Sequence, residues 1–387
     1  MKRTIRDLKN LKDKRVLLRC DFNVPLDKYG DILDDTRIFE SLPTIKYLNE
    51  QNCKLILCSH LGRPKGYDKY LSLFPVAVYL MKRFPNKVKF CPKASGKEVT
   101  NAVKNLKSGE ILLLENLRFD PREEQNDPTF VKELASLADV YVDDAFGVAH
   151  RIHASNYGVA LKLPNAVGFL IEKELNVFTK AFENPARPFV AIFGGAKVKD
   201  KLTLINNVIG KADTILIGGG MAYTFLLAKG VNIGKSIVDL DLVDDAKAIL
   251  ERAEKEGTKI LLPIDHVALE GNKIRKVYLM DQDMMGLDIG NDTIKLFKKE
   301  IKTAGQILWN GPVGKYEDPR FKKGTYKIAK AVAKSKAYSI VGGGDSVGAI
   351  NTLGFAKKIN HLSTGGGASM KLMEGKVLPA IEVIDTL

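Results

Sequence analysis

Short apolar runs alternate with longer amphipathic segments along the whole 387-residue chain. Runs rich in Val, Ile and Leu that are separated by helical patterns indicate parallel sheets covered on both faces. We therefore predict an α/β protein made of two doubly wound, Rossmann-like domains joined by a helical hinge. The predicted strands are Arg15–Arg19, Lys54–Cys58, Val88–Cys91, Ile111–Leu114, Val140–Asp143, Phe189–Phe193, 215–217, Tyr338–Val341 and a short one at Leu362.

The predicted boundary between the domains is marked by prolines. Pro164, Pro185 and Pro188 bracket a helical pattern over residues 171–182, which would suit a rigid connector. We predict an N-terminal domain over 1–165, a connecting helix over 166–185 and a C-terminal domain over 186–375.

Glycines follow the strands of the second half at 194–195, 218–220, 342–344 and 365–367. Glycine lets backbone N–H groups approach a ligand, and the N–H groups at a helix start attract anions. A single junction of this kind is more often a tight turn, but several in one domain favour a phosphate-binding surface. Neither a Walker lysine motif nor GxGxxG is present, which argues against P-loop hydrolases and the common dinucleotide-binding proteins.

Charged side chains follow the strands of the first half instead. The carboxyl ends of parallel strands meet at one edge of a sheet, and arginine pairs bidentately with carboxylate and phosphate. We therefore predict that a small phosphorylated acid binds the first domain and a nucleotide the second. The side chains are Arg19, Asp21, Asn23, Arg37, His60, Arg63, Glu115, Asn116, Arg118, Asp143, Asp144, His150, Arg151 and His153.

Two features of the second half allow two interpretations each. Lys197, Lys199 and Lys201 lie at a predicted helix start, where cations oppose the helix dipole; a bound anion would remove the conflict, and a solvated basic turn is the alternative. Asp345 follows three glycines and is either an N-cap or, beside nucleotide phosphates, a Mg²⁺ ligand.

His150 and His153 have no evident third metal ligand, which favours substrate contact or packing.

The net charge of +14 suits either a polyanionic partner or a heavily phosphorylated substrate. No nucleic-acid reading module appears, so we predict no specific nucleic-acid partner.

No apolar segment is long enough to span a membrane, and no signal peptide is evident at the N-terminus, so we predict a cytoplasmic protein. Four isolated cysteines are expected to be buried free thiols.

Eight segments closely resemble one family, phosphoglycerate kinase, and they occur in family order over essentially the whole chain. They are RCDFNVP at 19–25, SHLGRP at 59–64, LLLENLRF at 112–119, DDAFGVAHRIHAS at 143–155, GGAKVKDKL at 194–202, WNGPVGKYE at 309–317, GGGDS at 342–346 and STGGGAS at 363–369. Each is moderately specific, and the ordered set is very specific.

The resemblance implies a monomer that transfers a phosphoryl group reversibly between 1,3-bisphosphoglycerate with ADP and 3-phosphoglycerate with ATP, in glycolysis and gluconeogenesis. It implies that Mg²⁺ bridges the nucleotide phosphates and that segment 376–387 packs back on the first domain. By motif position, the phosphoglycerate site comprises Asp21, Phe22, Asn23, Arg37, His60, Leu61, Gly62, Arg63, Arg118 and Arg151. The nucleotide site comprises Gly194, Gly195, Ala196, Lys197, Lys201, Asn310, Glu317, Gly343, Gly344, Asp345 and Ser346, with Glu317 at the ribose and Asp345 at the metal.

The implied reaction needs no general base, because the nucleophile is the substrate's own carboxylate, which is already ionised at neutral pH. The expected catalytic groups align the reactants and stabilise charge during in-line transfer. We expect Arg37 to position the carboxylate, Lys201 to stabilise the moving phosphoryl group, and amides near Gly365 and Gly366 to assist. Hinge closure is expected to exclude water.

Three positions depart from the family pattern: Val148 replaces a common threonine, Lys371 a usual acid and Ala380 a usual glycine. A kinase of the same architecture acting on another phosphorylated acid stays open as an alternative. So does a non-enzymatic anion-binding or nucleic-acid-associated protein that uses the net charge.

Overall fold

The computed structural model describes residues 2–386. It divides into two compact units. The first runs to Asn176 and includes the segment from Val377 onward, and the second is Val177–Lys376. The division falls within one helix, Phe169–Glu183, which continues from one unit into the next.

The first unit is built on a six-stranded parallel sheet in the order β3-β4-β2-β1-β5-β6. Its strands are β1 Arg15–Arg19, β2 Lys54–Cys58, β3 Val88–Cys91, β4 Ile111–Leu114, β5 Val140–Asp143 and β6 Asn165–Val167. Its helices are α1 Thr36–Glu50, α2 Phe74–Arg83, α3 Lys97–Lys104, α4 Pro128–Ala135 and the first part of α5 Phe169–Glu183.

The central strands of this sheet are covered on both faces. Successive residues of β4 are all buried, although they point alternately to opposite sides. One face packs Val16, Leu18, Leu55 and Leu57 against α1 and α2. Helices on both sides explain why these strands are continuous apolar runs in the sequence.

The second unit repeats this design with a parallel sheet in the order β15-β14-β13-β7-β8-β9. Its parallel strands are β7 Phe189–Phe193, β8 Thr214–Ile217, β9 Lys259–Leu261, β13 Gln306–Asn310, β14 Tyr338–Val341 and β15 His361–Leu362. Its helices after α5 are α6 Leu202–Val208, α7 Ala222–Ala228, α8 Val243–Lys255, α9 Asn291–Thr303, α10 Lys323–Val332, α11 Gly344–Thr352 and α12 Gly367–Met373. The prediction of two parallel-sheet α/β units is confirmed.

The second unit also contains a three-stranded antiparallel sheet that the sequence did not indicate. It consists of β10 His266–Glu270, β11 Lys273–Val277 and β12 Met284–Ile289, in the order β11-β10-β12. β11 is largely exposed, so it lacks the apolar run by which a buried strand can be recognised. The predicted strands also omitted β6, β9 and β13 of the parallel sheets.

The C-terminal segment lies against the first unit. Helix α13 (Pro379–Glu382) begins with a hydrogen bond of 3.1 Å from Ala380 N to Ala149 O. Asp385 N donates to Asn165 Oδ1 at 2.7 Å. Within residues 2–386, the helices are all too short or too polar to cross a membrane.

Candidate active site

A cavity of 430 Å³ in the second unit is formed by the glycine-rich ends of its strands. Gly194 and Gly195 follow β7, and Gly343 and Gly344 follow β14. Because β7, β13 and β14 are parallel neighbours, these turns lie at the same sheet edge. Backbone N–H groups exposed at such turns suit phosphate groups. The other lining residues are Ala196, Lys197, Asp200, Lys201, Asn310, Gly311, Asp345, Ser346, Gly366, Gly367 and Met370.

Lys201 lines this cavity from the residue just before α6. Its ammonium donates a hydrogen bond to Asn310 Oδ1. Burial lowers the pKa of Lys201, while nearby carboxylates, first among them Asp200, act in the opposite direction. A charge with reduced access to water interacts more strongly with an anion than an exposed one does.

Two glycines are required by close backbone packing around this cavity. Gly343 has φ of 92°, and a Cβ there would lie 2.6 Å from Asn310 Nδ2. A Cβ on Gly194 would lie 2.1 Å from Pro312 O. Both distances are shorter than any normal Cβ contact, so a side chain at either position would push Asn310 or the following turn out of place.

A second cavity of 600 Å³ has mainly apolar walls. They include Ile237, Met285, Leu287 and Pro312, with the carboxylate of Glu317 at the same cavity. Apolar surfaces with a few polar groups are typical of sites for a base and its sugar. Met285 and Leu287 belong to β12 of the antiparallel sheet, which explains why sequence reasoning missed this wall.

The two cavities share Gly195, Ala196 and Asp345 in their linings. They therefore form one continuous site with an apolar end and an amide-rich end. Every residue of the predicted nucleotide set lines one or both cavities. Gly366 lines the amide-rich cavity, whereas Gly365 lies beside it without being part of the wall.

Asp345 is not an N-cap. It lies in the first turn of α11, whose N-cap is Gly343, and no side-chain cap hydrogen bond is formed there. The capping interpretation of Asp345 is therefore wrong. Because its carboxylate lines both cavities and makes no cap, it fits a hard cation beside phosphate oxygens.

The first unit brings together a carboxylate, an arginine and an asparagine at the ends of β1 and β2. Arg37 Nη1 lies 2.5 Å from Asp21 Oδ2. Asn23 Oδ1 accepts a hydrogen bond from Gly62 N at 2.8 Å. Burial raises the pKa of Asp21, but the positive charge of Arg37 and its neighbours outweighs burial, and the net pKa is below the usual value.

Gly147 allows the close approach of this ion pair. A Cβ on Gly147 would lie 2.2 Å from Asp21 Oδ2 and 3.4 Å from Arg37 Nη1. The contact joins residues more than a hundred positions apart, so no local sequence signal points to it.

His60 is fixed in one tautomer. Arg19 Nη2 lies 3.2 Å from His60 Nδ1, and a guanidinium has no acceptor, so Nδ1 must be the unprotonated nitrogen. Burial, followed by the charges of Arg19 and Arg118, holds the pKa of His60 well below its usual value. Neutral His60 therefore keeps its proton on Nε2, where it can donate to an anion.

We predict that His60 stays neutral over the physiological range. Since its pKa is lowered, protonation begins only well below pH 6.5, and its ring resonances should stay constant between pH 8 and 6 in the free protein. Two-dimensional ¹H–¹⁵N NMR of the imidazole, assigned with His60→Gln, should show the Nε2–H form. A titration midpoint near pH 6.5 would refute this.

Arg19 does not face the ligand surface, contrary to the expectation from its position after a strand. Its side chain is buried, and its guanidinium donates to Ser155 Oγ at 2.8 Å and to Cys20 O. Ser155 Oγ in turn donates to Glu123 Oε1 at 2.6 Å. Arg19 therefore supports His60 from within the unit, and its buried guanidinium is not exposed to a ligand. A strand-end pattern cannot distinguish these two roles.

The remaining predicted residues surround this cluster. Phe22 and Leu61 are buried, and each donates its backbone N–H within the unit, to Ser59 Oγ and Asn116 Oδ1 respectively. Both shape the loops, and Leu61 also lines a cavity of 680 Å³ together with Asn23 and Gly62. Arg118 Nη1 donates to Gly62 O at 2.8 Å.

Arg63 and Arg151 are both exposed. The charge of Arg151 contributes, after burial and the charges of Arg19 and Arg118, to lowering the pKa of His153 to about 4. Arg151 therefore lies near His153, whose pKa Arg19 and Arg118 also lower. Arg63 is joined to the cluster by no hydrogen bond or ion pair among the described residues, and is placed only by its position one residue after Gly62.

Several strand-end acids have structural tasks. Asp144 Oδ1 accepts from Leu170 N at 2.9 Å and from Ile171 N at 3.1 Å, at the start of α5. Asp143 Oδ1 accepts from Ala145 N at 2.9 Å. Burial raises the pKa of both carboxyls to about 7, as expected for groups held in loops and away from water.

The departures from the family pattern lie near these sites. Val148 is buried, Ala380 hydrogen-bonds Ala149, and Lys371 Nζ lies 3.4 Å from Glu374 Oε2. The lysine is therefore paired with an acid of its own chain segment.

A nucleoside-sized cavity that continues into an amide-lined one, in a chain whose other unit holds arginine, histidine and carboxylate together, is typical of nucleotide-dependent phosphotransferases. A family model described as phosphoglycerate kinase matches residues 5–376. The chain belongs to the phosphoglycerate kinase family.

Curated relatives and solved structures agree with this assignment. The chain is 51% identical over 393 residues to phosphoglycerate kinase of Finegoldia magna, covering 99% of both sequences. It is 52% identical over 392 residues to that of Dictyoglomus turgidum, again covering 99% of both. The structure of phosphoglycerate kinase from Coxiella burnetii matches with a TM-score of 0.90 at 37% identity, over 99% of this chain and 98% of that one. The enzyme from Pyrococcus horikoshii matches with a TM-score of 0.84 at 34% identity, over 98% of each.

Proposed function

We propose that the reaction of this family, reversible phosphoryl transfer between 1,3-bisphosphoglycerate with ADP and 3-phosphoglycerate with ATP, is carried out here by the two sites described above. The observation that carries this assignment is the continuous pair of cavities in the second unit, apolar at one end and lined by backbone amides and Lys201 at the other. That arrangement matches a nucleotide and its phosphates along their length.

3-Phosphoglycerate binds the first unit in this proposal. Arg37, Arg118 and Arg151 supply positive charge for its phosphate and carboxylate, and His60 supplies a neutral N–H donor. Asn23 holds the Gly62 turn through a 2.8 Å hydrogen bond. Charge-assisted bonds of arginine to such anions contribute about 1.5–3 kcal/mol each, so a few of them give specific binding of a small acid.

ATP or ADP binds the second unit, with the base between Ile237 and Met285 and the ribose at Glu317. The phosphates lie along the turns after β7 and β14, within reach of Lys197 and Lys201. The terminal phosphoryl group is then at the Lys201 ammonium, where charge develops during transfer. The substrate carboxylate attacks in line, and no protein group has to remove a proton.

Mg²⁺ belongs beside Asp345. Among the described residues, no group of three His, Cys, Asp or Glu side chains forms a ready-made metal site. A single carboxylate suits Mg²⁺, which keeps water and phosphate oxygens as most of its ligands. The ion would neutralise phosphate charge, while Asp345 fixes its position relative to the amide-lined turns.

The direct test is a coupled assay with 3-phosphoglycerate, ATP and Mg²⁺. We expect turnover that stops on addition of EDTA and returns with excess Mg²⁺. Asp345→Ala should raise the Mg²⁺ concentration for half-maximal rate by about tenfold or more, because it removes the protein's ligand. Asp244→Ala removes an exposed acid from the equivalent first turn of α8 and serves as the matched control. Equal Mg²⁺ dependence in both variants would exclude Asp345 as the metal ligand.

We further propose a monomer that acts in the cytoplasm on small molecules and binds no specific nucleic acid. All four cysteines are buried free thiols, which is usual in a reducing compartment.

A further inference from the structure

A methionine thioether lies against the ammonium that we assign to phosphoryl transfer. Met370 Sδ is 3.8 Å from Lys201 Nζ and 2.8 Å from Asn310 Nδ2. Met370 is only partly buried, and it lines the amide-rich cavity. A cavity of 430 Å³ admits molecules of the size of water and hydrogen peroxide, so the sulfur can be reached by small oxidants.

Met285 of the apolar cavity is also exposed (41%), but it does not line the amide-rich cavity that holds Lys201. Met373 and the four cysteines of the first unit are less suitable for oxidation than Met370. Met373 is fully buried, under the Gly342 turn. Burial raises the pKa of Cys53 and of Cys58 to about 12, and the pKa values of Cys20 and Cys91 are also raised. These groups therefore stay as thiols, which react slowly with peroxides compared with thiolates.

We propose that Met370 is an oxidation site that switches off phosphoryl transfer through Lys201. The oxidant is a hydroperoxide. The sulfur lone pair attacks the terminal peroxide oxygen, an S–O bond forms, the O–O bond breaks, and the proton passes to the leaving oxygen, giving methionine sulfoxide and water or an alcohol. Sulfur loses two electrons and the peroxide gains them.

The chemical change acts directly on the catalytic cation. A thioether is a weak acceptor, whereas a sulfoxide oxygen is a strong one. Within reach of the Lys201 ammonium it would form a charge-assisted hydrogen bond and compete with the phosphoryl oxygens. The larger polar group would also occupy space at the amide-lined turns. The inference rests on the role proposed above for Lys201.

The experiment exposes the wild-type enzyme to hydrogen peroxide and then measures turnover at saturating 3-phosphoglycerate and Mg·ATP. We expect a loss of at least about tenfold that follows the fraction of Met370 carrying one added oxygen, measured by peptide mass spectrometry. Methionine sulfoxide reductase should restore activity, and dithiothreitol alone should not. Saturating Mg·ADP during exposure should slow both the oxidation of Met370 and the loss of turnover.

Met370→Leu, compared with its own untreated activity, should lose less than about twofold under the same exposure. Met81→Leu, which removes an exposed thioether of the first unit (relative exposure 36%), should stay as sensitive as the wild type. Oxidised Met370 with intact turnover, or an equally sensitive Met370→Leu, would overturn the proposal. If oxidation of Met370 left turnover unchanged while Lys201→Ala was inactive, the proposed oxidation switch would be wrong, but the role assigned to Lys201 would still hold.

Discussion

Lys201→Ala should lower kcat by about 10²- to 10³-fold, the usual cost of removing one donor to a charge that develops in the transition state. The ammonium is held at Asn310, and Lys201 lines the amide-rich cavity, so we expect it to contact the transferring phosphoryl group and not the base. The KM for ATP should change much less than kcat, since the amides and the apolar walls that bind the ground state are retained.

Steady-state kinetics in both directions would measure this effect. Lys211→Ala is the matched control, because Lys211 is also partly buried with a pKa lowered by burial and bonds Asn207 at 2.7 Å away from both cavities. Lys201→Arg tests geometry at constant charge: the larger planar group cannot occupy the same point, and activity should be recovered only in small part. Near-normal kcat in Lys201→Ala would remove this residue from the mechanism.

The sequence predicts nine of the twelve parallel strands, because a strand buried on both faces is a continuous apolar run; β6, β9 and β13 were not predicted. Strands such as β4 and β7 are buried along their whole length and consist of apolar residues. The glycine turns after β7 and β14 are also visible, because the backbone conformation there excludes other residues. These local constraints are sufficient to locate most of the surface that we assign to phosphate binding.

Contacts between residues that are far apart in the sequence cannot be predicted from local composition. The wall formed by Met285 and Leu287 depends on an antiparallel sheet whose outer strand β11 is exposed. The burial of Arg19 depends on Ser155 and Glu123, which lie more than a hundred positions away in the chain. A single sequence shows the arginine but not which side of the strand end its guanidinium occupies.

Asp345 shows a different limit. An aspartate after glycines has two good uses, and only the observed helix start, with Gly343 as N-cap, decides against capping. The same limit applies to Met370, whose apolar side chain suggests packing until its sulfur is found beside Lys201. In both cases the residue type is compatible with a structural role, and the neighbours determine the chemistry.

Arg37→Ala should lower kcat/KM for 3-phosphoglycerate by about 10²-fold or more, since truncating one member of a hydrogen-bonded charge pair with a buried partner typically costs 2–5 kcal/mol. The variant loses the cation that we assign to the substrate carboxylate. It also leaves Asp21, which is nearly fully buried, without the main positive charge that compensates it, in the site that we assign to an anionic substrate.

The second effect has a pH signature. Arg37 is the main charge that holds the pKa of Asp21 down against burial, so without it that pKa should rise. As pH falls, Asp21 in the variant becomes neutral and no longer repels the anionic substrate. The ratio of wild-type to variant kcat/KM should therefore decrease towards pH 5.5. Wild-type kinetics at each pH correct for titration of the substrate phosphate.

Two further variants separate positioning from charge. In the double variant Arg37→Ala with Asp21→Asn, residue 21 carries no charge at any pH. The ratio of wild-type to variant kcat/KM should then not change with pH, while most of the loss in kcat remains. Added guanidinium should restore part of the turnover of Arg37→Ala, because a free cation can occupy the space left beside Asp21.

Arg15→Ala, which breaks the exposed pair with Asp139, should keep normal kinetics and give no response to guanidinium. If Arg37→Ala behaved like Arg15→Ala, the carboxylate of the substrate would have to be positioned by another group, and the assignment of the acid-binding surface to this edge of the first sheet would fail with it.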